Sequence, residues 1–253
     1  MRLKFLSIYG AMSARQLLRH RVAVLLLLII PTLFCSIIVL ITPDRVIVFE
    51  LPTVGDSVVQ LENERDETIV FIGCAAVCLL TAFFALHLVQ KQWQADRRLM
   101  VAGYKSSELL TAKLCVLGGL IVSMSLYVSA LVSLFLVPQN YWSTVAGFVS
   151  GGFVYGCYGL LVGSLVRREL EGVLCVVLLS NIDASWLQNP IIYTAAEKKE
   201  IIRLLPGFYP VQATMMGAFT NHSVLETVIC SMVYGSAFLA IVLLVYAWRM
   251  RIR

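Results

Sequence analysis

The chain has 253 residues, of which 59% are hydrophobic and 14% charged, with a formal net charge of +5. A soluble domain carries about 25% charged residues, so the composition excludes an ordinary soluble enzyme, and no nucleic-acid partner is expected. Long uncharged runs place the chain in the polytopic membrane class.

Residues 1–21 read as an amphipathic segment lying along a membrane interface. Phe5, Tyr9 and Met12 fall near one helical face, with Lys4 and Arg15 elsewhere. The run that follows is too long for the core of a cleavable signal, and no small-residue cleavage site is found.

Six spans are expected at 22–42, 69–89, 114–137, 145–166, 173–187 and 228–247. Most are long enough to cross about 30 Å of hydrocarbon at about 1.5 Å per residue. Pro31 lies midway in the first and removes one backbone donor, giving either a hinge or a static kink. The fourth is glycine-rich. Gly147 with Gly151, Gly152 with Gly156, and Gly159 with Gly163 recur at a spacing that allows close helix approach in lipid.

Of the 20 Lys and Arg residues, 15 fall on the side holding both termini, the 90–113 loop and the 167–172 turn. That bias predicts cytoplasmic termini. Trp93, Trp142, Trp186 and Trp248 stand at or just past span ends, as interfacial indoles do.

The connection at 43–68 is acidic and reads as a solvated loop, with "RVIVFEL" as a possible short strand. The 90–113 loop reads as two short helices bent at Gly103, the second capped by Ser106 or Ser107 with Glu108 in its first turn. That shape suits docking on another protein.

The fifth span is short and ends in "SNIDASWLQNP". A carboxylate inside a span costs about 2.5–3.5 kcal/mol on insertion scales. Asp183, with Asn181, Ser185 and Trp186 nearby, therefore reads in one of two ways. It lines a cargo path or subunit interface, or it sits near the headgroups because the span is short.

Residues 188–224 contain "RLLPGFYPVQATMMGAF", too apolar for a loop and too broken for a span. Irregular backbone at membrane depth survives only under protein or water cover. The expectation is a re-entrant helical hairpin with arms at 195–205 and 211–219. Pro206 and Pro210 form its corner, and Phe208 and Phe219 line an outer gate.

The seven cysteines lie in spans or at their edges, and no disulfide is expected. His20, His87 and His222 are scattered, and no metal site is expected.

In layout, and in "RRELEGVLCVVLLSNIDASWLQNP" and "LLPGFYPVQATMMGAF", the chain resembles the membrane subunits of ATP-binding-cassette (ABC) exporters of the type-two permease class. The resemblance covers nearly the whole chain. It implies an all-α, six-span permease without a second domain. Such a permease pairs with a second copy or homologue and with two cytoplasmic ATPase chains that carry ATP and Mg. It implies a cell-membrane exporter of a hydrophobic or amphipathic cargo, such as a lipid, drug or peptide. Asp96, Arg97, Arg98, Gly103, Glu108 and Lys113 would form the ATPase-coupling surface, although the proline of many family members is missing after Gly103. No G-x-x-x-x-G-K-[ST] cradle is present, so this chain binds no cofactor and is not expected to hydrolyse ATP. The alternatives are a membrane-embedded enzyme or an accessory assembly protein.

Overall fold

The computed structural model describes residues 21–52, 57–103, 106–166 and 168–251. The amphipathic segment expected at 1–21 falls outside them except for Arg21, as do the side chains of Trp93, Arg97, Ser106 and Ser107. The described elements are helical apart from one β-hairpin.

They run in the order α1 (Arg21–Ile41), β1 (Val46–Pro52), β2 (Ser57–Asn63), α2 (Glu64–Val101), α3 (Ser106–Val132), α4 (Tyr141–Leu165) and α5 (Glu169–Ser180). A π-helical turn over Asn181–Leu187 prolongs α5. Then come α6 (Pro190–Ala195), α7 (Lys199–Arg203), α8 (Phe208–Phe219) and α9 (Leu225–Arg251). Among the described residues five stretches are long and apolar enough to cross a membrane: Glu64–Lys91, Glu108–Val132, Tyr141–Leu165, Glu169–Leu187 and Leu225–Val245; the apolar part of α1, Leu25–Ile41, is shorter. The third expected span ends earlier than its sequence suggests, because α3 stops at Val132 and a turn follows.

α2 and α4 bury most of their surface and form the centre; α5 and α9 bury little and lie at the periphery. The glycines of α4 explain how so many elements reach it. The three pairs turn toward different sides of α4. A Cβ on Gly147 would lie 2.5 Å from the backbone of Thr214 in α8, and one on Gly151, between α2 and α8, would lie 2.9 Å from Cys78 Sγ and 3.5 Å from Pro210. Gly152 and Gly156 face Ile121 and Leu117 of α3. At Gly159 a Cβ would stand 2.1 Å from the carbonyl oxygen of Ala82 in α2, and Gly163 meets Leu86 next along the same helix. One helix thus offers three small-residue ridges at once.

The break expected at Gly103 is present, with Glu108 in the first turn of the helix that follows, but the two helices flanking it are continuations of α2 and α3 and not separate short pieces. α2 runs unbroken for 38 residues, about 57 Å at about 1.5 Å per residue. The Asn63 side chain caps its start by accepting from the Arg65 N–H at 3.1 Å, and Glu64, Asp66 and Glu67 suit the positive end of its dipole. It stops only at Ala102 and Gly103, where φ is +96°. That left-handed conformation suits glycine and ends helices. α3 then begins at Ser106 without a further break, so the connection between the two helices is four residues long.

Pro31 lies inside α1 and faces the bundle with Cys35 and Ile38. Near the disrupted turn, the Leu28 carbonyl accepts from the Thr32 hydroxyl at 2.6 Å and from the Tyr127 hydroxyl of α3 at 3.1 Å. The proline turn is therefore clamped to α3.

The acidic connection expected to be solvated folds as the antiparallel hairpin β1–β2, with Val48 opposite Leu61 and Phe49 opposite Gln60. One face is buried through Phe49 and Leu51; the other exposes Val46, Val48, Val59 and Leu61. Arg45 and Glu64 pair across its base.

Candidate functional site

Two clusters of buried polar groups lie at different levels of the bundle. The first is at the tip joining α2 to α3. Asp96 and Lys113 form an ion pair, and both side chains are 0% exposed. They are sealed from solvent, so neither belongs to a docking surface, contrary to the expectation for them. Leu99 and Met100 of α2 pack on Leu109 and Ala112 of α3 beside the pair. Of the other expected coupling residues, Arg98 and Gly103 are exposed and Glu108 is half-buried. The side chain of Arg97 is outside the described residues.

The second cluster is built on the π-helical turn. A π-turn widens the helix, is rare, and is frequently found at functional sites. Here it turns Asp183 into the bundle, leaving the residue 8% exposed. Asp183 Oδ2 accepts from the Tyr155 hydroxyl at 2.5 Å and from the Gly207 backbone N–H at 2.9 Å; Oδ1 accepts from the Gln188 amide at 3.0 Å. Gly207 fits because it has no side chain: a Cβ there would lie 2.6 Å from the Tyr155 hydroxyl and 2.8 Å from Asp183 Oδ1. Asp183 therefore faces the interior of the bundle. The π-turn also separates the residues grouped with it. Asn181 and Trp186 point outward, Asn181 bonding the Val177 carbonyl at 2.8 Å, and Ser185 is half-buried.

Gly207 is where the broken segment turns into α8. From there α8 runs antiparallel to α4: Pro210 lies by Gly151, Thr214 by Gly147, and Gly217 by Thr144. Its far end is fixed where Gln139 and Asn140 donate to the carbonyls of Ala218 and Gly217. At 12 residues it covers about 18 Å, half a membrane's depth. The expected arm at 195–205 forms only the short helix α7, preceded by α6 over Pro190–Ala195. The corner lies at Pro206 and Gly207, and Pro210 falls in the first turn of α8, where a missing N–H is tolerated. Pro206 is half-buried. Phe208 and Phe219 are buried: Phe208 packs on Tyr193 at 5.8 Å, and Phe219 meets Phe49 of β1 edge-on at 6.0 Å.

The hairpin β1–β2 covers this region. Glu50 pairs with Lys199 of α7 at 2.6 Å, and its N–H donates to the Thr194 hydroxyl at 3.3 Å. Arg203 donates to the Tyr193 hydroxyl oxygen at 2.9 Å, which holds its guanidinium above the usual pKa. The Thr214 hydroxyl donates to the Pro210 carbonyl at 2.8 Å and its oxygen lies 3.5 Å from Cys74 Sγ; all seven cysteines are free.

Sequence reading missed Tyr155, Gln188 and Gly207 as partners of Asp183. Tyr155 and Gly207 are 28 and 24 residues away, on other elements. The one local signal was Gln188, five residues on in the same polar string. No group of three or more His, Cys, Asp or Glu able to hold a metal is found among the described residues. Both Asp183 oxygens are engaged by neutral donors, so the cluster can hold a charge and position four elements. No protein-family model matches the chain, and no curated protein matches it either.

Proposed function

We propose that this chain is the membrane subunit of an ATP-driven exporter, pairing with a second permease and with two separate cytoplasmic ATPase chains to move a hydrophobic or amphipathic cargo. In this reading α1 is a sixth span, the tip between α2 and α3 is cytoplasmic, and α8 is a re-entrant piece in the outer leaflet.

The observation that carries the reading is the shape of α2. It extends past its apolar stretch, is braced to α3 by the Asp96–Lys113 pair, and touches α1, α3, α4, α5, α8 and the π-turn. A push on the tip would travel along one continuous helix to the Asp183 cluster and to α8. ATP-driven closure of the partners would supply that push, and α8 with its hairpin cover would be the part that yields. The exposed Arg98, with Arg97, would meet the ATPase.

The test is reconstitution of the chain in liposomes with and without its ATPase. The expected result is cargo-stimulated ATP hydrolysis that needs both chains, with export lost and basal hydrolysis kept in Arg97→Glu/Arg98→Glu. Export by the lone chain, or unchanged export in the double variant, would remove the proposed coupling. Single cysteines at Arg98 and His222 should label from opposite aqueous compartments; labelling from one compartment breaks the topology.

A further inference from the structure

Glu67 stands at the start of α2 and is 0% exposed, the one fully buried glutamate among the described residues. On a helix Glu67, Phe71, Cys74 and Cys78 share one face. α4 and α8 cover that face: the Thr214 oxygen of α8 lies 3.5 Å from Cys74 Sγ, and Gly151 of α4 stands against Cys78. Glu67 lies two turns beyond Cys74, toward the end where Phe219 of α8 meets Phe49 of the hairpin and β2 runs directly into α2.

Its hydrogen bonds do not fit an ionised acid. Oε1 has no partner. Oε2 lies 3.1 Å from the Thr68 hydroxyl oxygen, but that hydroxyl has a single hydrogen. The shorter bond, 2.7 Å to the Glu64 carbonyl, takes it. The remaining contact is a hydrogen bond if Glu67 itself carries a proton and donates to Thr68.

Nor does a cation compensate it. α4, α8, Val22–Thr42 and Leu114–Val137 hold no charged residue. At the start of α2 the charged groups are Asp44, Arg45, Glu62, Glu64, Arg65 and Asp66. Arg45 is taken by Glu64, while Arg65, two residues away and so on another face of the helix, reaches toward Asp44. Beyond the hairpin, Lys199 is taken by Glu50 and Arg203 by Tyr193; Glu197, Lys198, Glu200, His222 and Glu226 are exposed. The acids nearest in sequence oppose a further negative charge. The helix dipole favours an ionised acid in this turn, but it supplies no donor to the sealed Oε1. A carboxylate buried without cation or donors neutralises instead.

We propose that Glu67 is a proton-binding site, carrying a proton while the hairpin is seated and releasing it to the water on that side when the hairpin lifts. Proton uptake and closure are then linked: falling pH on that side favours the seated hairpin, and rising pH favours the lifted one. Proton binding requires only the lone chain and does not rest on the exporter reading.

The experiment is infrared spectroscopy of the full chain in liposomes, grown with glutamate isotopically labelled in its side-chain carboxyl. At neutral pH the native chain should show a carboxylic-acid band shifted by the label, which no aspartate gives, and Glu67→Gln should lack it. Absence of that band from the native chain would overturn the proposal, whether or not the variant folds. So would loss of a carboxylate band in Glu67→Gln, the sign of an ionised acid holding a cation. Labelling of a cysteine placed at Gln60, opposite Phe49 in the register, reads the link to the hairpin. Its rate in the native background divided by that in Glu67→Gln cancels the thiol's own response to pH. The ratio should rise at least fivefold from about pH 5.5 to about pH 8, with tenfold per pH unit as the limit for one proton. A ratio that stays flat would overturn the release step. Neither measurement uses an ATPase, so failure here is separate from failure of coupled transport.

Discussion

Asp96 and Asp183 are both buried aspartates in an apolar bundle, and they are satisfied in opposite ways. Asp96 is paired with Lys113, a full positive charge from the facing helix, and both are sealed. Asp183 is held by a phenol, an amide and a backbone N–H, and its charge has no cationic partner among the described residues. A pair of opposite charges between two regular helices makes a brace, since removing one member takes away the main neutralising partner of a buried charge. A carboxylate held by three neutral donors instead ties the π-turn to α4 and to the turn before α8 through hydrogen bonds. The same residue type thus joins two helices through opposite charge at one place and three segments through neutral donors at another.

The sharpest way to break this comparison is to remove one member of each set. Lys113→Met should destabilise the chain by about 3–5 kcal/mol, the range for orphaning a buried charge, as measured by SDS titration in mixed micelles. The double variant Asp96→Leu/Lys113→Met should recover most of that loss, because two apolar side chains can replace a buried pair. A brace reading does not survive if the single variant is as stable as the native chain. Asp183→Ala should cost less, about 1–3 kcal/mol, the penalty for leaving buried donors without an acceptor. Tyr155→Phe removes one of the three bonds and should cost about 0.6–1.7 kcal/mol, as interhelical hydrogen bonds in membrane bundles do. If Tyr155→Phe cost as much as Lys113→Met, the two aspartates would have to be placed in one class.

The difference between the two aspartates was only half legible in the sequence. Hydropathy located the apolar stretches of α2 to α5 and α9, and the spacing of glycines in α4 identified close packing, although not that the pairs would turn toward different sides of the helix. The proline-broken segment was recognised as something other than loop or span. Hydropathy misled at the α2–α3 tip. Residues 90–101 are polar but are good helix formers with no breaker before Gly103, so α2 continues past the end of its apolar run. A helix ends where its backbone is interrupted, not where hydrocarbon does. Asp96 and Lys113 were read as surface charges because their pairing, 17 residues apart, exists only once the two helices fold back on each other. Asp183 stood out as an isolated acid, but its partners come from α4 and from the turn before α8, which no local pattern connects. The β-hairpin was half seen: "RVIVFEL" suggested a strand, while "SVVQLEN" alternates too weakly in an acidic stretch to stand out.

The hairpin also sets the smallest test. Glu50 and Lys199 link it to α7 at 2.6 Å, but the two side chains remain 24% and 31% exposed. Water and salt screen such a pair, so Lys199→Gln should cost only about 0.2–1 kcal/mol, and high salt should reduce the native chain's stability toward that of the variant. The hairpin should stay in place, because Phe49 and Leu51 are fully buried and Phe49 rests on Phe219. Apolar burial scales with area removed from water and is indifferent to ionic strength. Labelling of a cysteine placed at Gln60, opposite Phe49 in the register, measures this directly. Accessibility should change little in Lys199→Gln and rise strongly in Phe49→Ala. If the lysine variant alone released the hairpin, the cover over α8 would be an electrostatic latch. The contrast between the two buried aspartates would then have to include a third kind of charge, an exposed pair that carries a mechanical load.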